Sequence, residues 1–149
     1  MSEPVILEQI QVILGAVSGV GVVHDYERWA DTWEKFLEHF KTGDGKINGW
    51  TISRFKLDEI CESSSHDLTV HHYRIRGHYG LNDAEASERT FQGIVDAVVA
   101  AFRANYRLND TAHNTTPLAA TVIENRTFGG VLCHYCELVF KAEEWNAWS

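Results

Sequence analysis

The sequence predicts an α+β fold: an antiparallel or mixed sheet built from two strand pairs flanking a long central helix, with two N-terminal helices packed on the sheet. Three observations predict it. Residues 82–107 repeat apolar side chains at steps of three and four (Phe91, Ile94, Val95, Val98, Val99, Phe102, Tyr106), the spacing of one buried helix face. Residues 50–60 and 68–80 read as one pair of strands before that helix, and residues 117–127 and 131–141 read as a second pair after it. At 149 residues, with 44% hydrophobic and 23% charged side chains, the chain reads as a single domain over 1–149. A domain of that size buries about two-thirds of its unfolded surface.

The first helix follows Pro4, which suits an opening turn, and carries Ile6, Ile10, Ile13, Leu14 and Val17 on one stripe as far as Ser18-Gly19. Residues 20–24 are short and β-branched and fit an edge strand. Trp29, Trp33, Phe36, Leu37 and Phe40 then mark a second amphipathic helix, with Asp31, Glu34, Lys35 and Glu38 facing away. Its aromatic face either enters the core or is offered to a partner. Thr42-Gly43-Asp44-Gly45 closes this helix, and residues 63–67 join the strands of the first pair.

For the long helix, Asn82 and Glu85 have capping-box spacing, Asp83 and Glu88 sit near the positive dipole end, and Arg103 and Arg107 near the negative end. Asn109-Asp110 can stop it, which gives a length of about 36 Å. Pro117 opens the third strand, Phe128-Gly129-Gly130 turns it, and the tail carries Trp145 and Trp148. These tryptophans either fold back onto the domain or cap a neighbour.

A net charge of −8 argues against a free-standing nucleic-acid binder and favours contact with basic surfaces. Three cysteines, two of them at Cys133 and Cys136, do not make a disulfide framework and read as reduced thiols of a cytoplasm. No apolar run approaches about 18 residues, so no membrane partner is expected. Acidic Glu3 and Glu8, without a basic segment, do not read as a signal peptide.

Candidate chemistry is sparse. Cys133-His134-Tyr135-Cys136 is the most metal-like string, but residues three apart on a strand point to opposite faces, and no second pair completes a zinc site. The run after Gly43 lacks the carboxylates of a calcium loop, with Phe40, Thr42 and Thr51 at key ligand places. Ser65-His66-Asp67 only spells a triad, since adjacent loop residues cannot form the relay. Neither catalytic residues nor a cofactor are expected.

The remaining signal is a basic stripe. Alternation places Arg54 and Lys56 on one face of their strand, and His72, Arg74, Arg76 and His78 on one face of the next. If the strands pair in the simplest register, these groups share one surface. Two readings stay open: neutralisation by the chain's own Asp and Glu, or a docking surface for a subunit's acidic patch or for passing phosphates. The docking candidates are therefore Arg54, Lys56, His72, Arg74, Arg76, His78, Trp145 and Trp148.

Three strings carry a resemblance: Val23-His24-Asp25-Tyr26-Glu27-Arg28-Trp29; Gly49-Trp50-Thr51-Ile52-Ser53-Arg54 with His72-Tyr73-Arg74-Ile75-Arg76-Gly77; and Phe128-Gly129-Gly130-Val131-Leu132-Cys133-His134. With the order of elements, the chain resembles the small tail-terminator, tail-completion and head–tail joining proteins of long-tailed bacteriophages. The resemblance implies a virion structural protein, made in the bacterial host cytoplasm, that forms a homo-oligomeric and most often hexameric ring. Such a ring ends the tail tube, contacts the tail tube protein and neck or connector proteins, and lets DNA pass without binding it specifically. It transfers no functional residue to this sequence. Two other classes remain: an enzyme or metal-binding domain using the histidines with Cys133 and Cys136, and a nucleic-acid-binding accessory domain using Arg54, Lys56, Arg74 and Arg76.

Overall fold

A computed structural model describes residues 3–28, 33–42, 46–64, 66–128 and 131–147. Its elements are helices α1 (Glu3–Gly15), α2 (Trp33–Phe40) and α3 (Ser87–Ala104), and strands β1 (Val22–His24), β2 (Asn48–Cys61), β3 (His66–Gly80), β4 (Asn114–Thr115), β5 (Ala119–Phe128) and β6 (Val131–Ala147). All six strands belong to one sheet, in the order β1-β2-β3-β6-β4, with β5 also paired to β6. Among the described residues only β1 runs parallel to its neighbour; the other strand pairings are antiparallel.

This corrects the expected architecture. The two strand pairs do not flank a helix; β3 and β6 pair continuously from His66↔Ala147 to Gly80↔Cys133 and fuse them into one sheet. The helix between the pairs is a crossover lying on one face of that sheet. Separation in sequence set the helix between strand pairs, but burying its stripe requires only one sheet face. The helices divide between the two faces. Ile6, Ile10 and Leu14 of α1 and Phe91, Ile94, Val98 and Phe102 of α3 share the main core with Trp50, Ile52, Tyr73, Ile75, Leu138 and Phe140 of the sheet. Phe36 and Phe40 of α2 lie on the opposite face with Ile47 and Cys133. Trp29, Asp31 and the side chain of Trp33 lie outside the described residues.

The long helix is also shorter than expected. Asp83–Glu85 form a 3-10 turn, Ala86 turns left-handed at φ 54°, and α3 starts only at Ser87. Asn82 makes no side-chain cap. Instead the Asn82 N–H donates to Ser87 Oγ at 2.8 Å, and the same hydroxyl bonds His134 Nε2 on β6 at 2.8 Å. A tertiary hydrogen bond thus overrides a local capping signal. At 18 residues α3 is about 27 Å long. Tyr106 falls beyond it and is exposed.

Several strand boundaries extend past the pattern, β3 among them, which opens at His66 within the expected loop. β2 opens at Asn48, and β6 continues through the acidic tail to Ala147, where its Trp145 stands opposite Leu68. A bulge between Arg54 and Lys56 breaks the alternation of β2. Gly77 stands opposite Trp50, and a Cβ there would fall 2.5 Å from the indole, so glycine lets the buried ring lie flat across β3.

Candidate functional site

The face of the sheet opposite α1 and α3 is only partly covered by α2, and it carries most of the basic stripe. The structure separates the predicted residues. Arg54 stands opposite Tyr73, so it lies on the main-core side, where its guanidinium donates to His71 Nδ1 at 3.1 Å. Lys56, one bulge later, stands opposite His72 and joins the second face. Simple alternation put Arg54 and Lys56 together; the extra bulged residue, Phe55, parts them.

On the second face the chain's own carboxylates answer the cations. Lys56 lies 3.5 Å from Asp58, Arg74 lies 3.3 Å from Glu137, and Arg76 lies 3.1 Å from Glu27. Arg126 of β5 is paired with Glu124 and lies over the Tyr135 ring. His72 is 8% exposed and donates to Asp58 at 2.8 Å, a bond that holds the Asp58 carboxyl below the usual carboxylate range. Arg74 stacks 4.5 Å from the Phe55 ring centre. Of the two readings of the stripe, internal neutralisation is the one this geometry supports.

His78 is not a surface group. It is 6% exposed, with Phe40 and Phe128 rings centred 4.7 and 4.5 Å away and Tyr135 at 5.1 Å. Burial pushes it down to about 4, against a partial rise from its backbone bond to Gly49, and it is neutral at pH 7. Trp145 is 48% exposed, with His66 and His113 rings centred 5.8 and 5.0 Å away. Trp148 lies outside the described residues, as do Ser65 and the glycines at 43, 45, 129 and 130.

A cavity of about 300 Å³ opens beside α2, lined by Glu27, Arg76, His78, Arg126, Tyr135 and Glu137 among others. Thr51, Arg76 and His78 belong to its lining, and their Oγ1, Nε and Nδ1 atoms are buried without a hydrogen-bond partner among the described residues. Of the charged side chains that line it, Arg76 is paired with Glu27 and Arg126 with Glu124. Tyr135 donates to Glu137 at 3.0 Å, and burial, first, and then that bond push its phenol up to about 12. Burial pushes the Cys133 and Cys136 thiols up to about 11 and about 12. The two sulfurs belong to opposite faces, Cys133 under α2 and Cys136 in the main core. Among the described residues no group of three or more His, Cys, Asp or Glu converges as a metal site would require.

The sheet's margins are the larger feature. β1 covers only Gly49–Thr51 of β2, and Glu27 still reaches Ser53 at 3.4 Å. Beyond that, among the described residues, residues 54–61 have no strand on their outer side, and Phe55, Leu57 and Ile60 are exposed. At the other margin β5 pairs with β6 alone, and within its 10 residues only Val122 and Phe128 are partly buried. An open strand edge is a template for another strand.

Neither a family model nor a curated protein matches the chain. No described helix is long and apolar enough to cross a membrane.

The residues that sequence reasoning missed are the carboxylates Glu27, Asp58 and Glu137, the ring of Phe55, and the whole outer edge of β5. Asp58 lies two residues from Lys56 and was visible as a local partner. Glu137 becomes a partner of Arg74 only through the β3–β6 register, which no local pattern encodes.

Proposed function

We propose that this chain is a structural subunit that assembles with copies of itself into a ring ending the tail tube of a tailed bacteriophage, where it joins the tail to the head or neck. The observation that carries the reading is the pair of open strand edges at opposite margins of one sheet. Two different edges on one subunit suit a heterologous, head-to-tail contact, and such contacts close into rings when the rotation closes. The family resemblance of the three sequence strings supports the same reading. In this role the tail tube protein and neck or connector proteins are the partners, the virion is the location, and the acidic balance of −8 lets DNA pass unbound.

The test is electron microscopy of the purified chain by negative stain, combined with light scattering for mass. Uniform annular particles of a single stoichiometry support the ring. A monomer at all concentrations, or open filaments of indefinite length, would contradict it.

A further inference from the structure

We propose that the ring closes by continuing the sheet from copy to copy: the outer edge of β5 in one subunit pairs antiparallel with the outer edge of β2 in the next. The inference rests on the self-assembly reading and names its interface.

Strand polarity is the first argument. β2 is antiparallel to β3, β3 to β6, and β6 to β5, so β2 and β5 run in opposite directions at the two margins. Laying the β5 of one copy beside the β2 of another in the same orientation gives an antiparallel ladder with no strand reversed. Each margin has a bulge, at Arg54/Lys56 in β2 and at Ala120/Val122 in β5. Residues 56–61 and 122–128 beyond them are regular. Neither stretch contains proline, the residue that most simply blunts an edge.

Side-chain chemistry selects a register. Leu57 stands opposite His71 and Ile123 opposite Cys136, so both belong to the main-core side of the sheet. They are 49% and 42% exposed. Lys56 stands opposite His72 and Glu124 opposite Tyr135, which places both on the second face. An antiparallel register that sets Leu57 against Ile123 sets Lys56 against Glu124. One alignment therefore buries an apolar pair on one face and brings Lys56 and Glu124 together on the other, each beside the partner it already has in its own subunit, Asp58 or Arg126. Shifting it by one residue on one strand puts every side chain on the wrong face. Shifting it so that Asp58 meets Glu124 sets like charges across the ladder, which is unfavourable.

Two experiments on the full chain test this. In a Cys61→Ser background, Leu57→Cys with Ile123→Cys should give an interchain disulfide ladder under mild oxidation, while either cysteine alone should not; Cys133 and Cys136 are buried and stay silent. In sedimentation, Lys56→Glu or Glu124→Lys should each weaken association about tenfold, and the two together should restore it to within about threefold. Circular dichroism of each variant should remain that of the parent. Assembly of the parent with no cross-link and no effect of either charge reversal overturns the edge contact and leaves the ring standing. A parent that never associates overturns both.

Discussion

Acidification should destabilise this protein through His78, by an amount that its surroundings set. In the unfolded chain the imidazole titrates near 6.5; in the folded chain burial among Phe40, Phe128 and Tyr135 lowers it to about 4. Between those values the unfolded state binds the extra proton, so stability is fully present above pH 6.5 and falls as pH drops toward 4. The gap of about 2.5 pH units corresponds to about 3 kcal/mol, a large share of a domain's net stability. Urea unfolding at pH 7, 5.5 and 4, at one fixed protein concentration, measures it. His71 and His134 are also lowered by burial and act in the same direction, so the informative quantity is a difference between proteins. His78→Gln, uncharged throughout, should lose about 3 kcal/mol less than the parent between pH 7 and 4, whatever its stability at pH 7. An equal loss in both proteins, or a His78 ring that titrates near 6.5 by NMR in the folded state, would refute the reasoning.

Other outcomes follow from the same packing. Gly77→Ala drives a methyl group into the buried Trp50 ring and should cost about 1–3 kcal/mol, read from the denaturation midpoint; an unchanged midpoint would mean that the indole can yield. Reversing Arg74 and Arg76 to Glu sets each against its present carboxylate partner, Glu137 or Glu27, and should lower the melting temperature of the folded subunit itself. Loss of association with melting unchanged would instead make the pair docking groups. Thiol titration should count one reactive cysteine, Cys61, in the native protein and three in denaturant; fast labelling of Cys133 or Cys136 would contradict their burial.

The parts of this fold that were legible in the sequence are those written locally. Ile6, Ile10, Ile13, Leu14 and Val17 form a stripe in the chain and are buried together in the main core. Phe91, Ile94, Val98 and Phe102 do the same on α3. Alternation also put Cys133 and Cys136 on opposite faces. What failed depended on distant partners. Nothing near Leu68 announces that Trp145 will stand beside it, so the joining of the strand pairs by β3 and β6 was invisible. The capping signal at Asn82 was sound by local rules and lost to Ser87, which His134 holds from 47 residues away. The shared face expected of Arg54 and Lys56 was lost for a smaller reason. One bulged residue moved Arg54 to the other face, and carboxylates on three different segments neutralised most of what remained.

Self-association through complementary edges is the claim on which the functional account turns, and native mass spectrometry reads it most directly. With a subunit of 16.9 kDa, the account predicts one dominant closed species, of about 100 kDa for a hexamer, with no continuing ladder above it as concentration rises. A spectrum that holds the single-subunit mass from low to high micromolar concentration would contradict it.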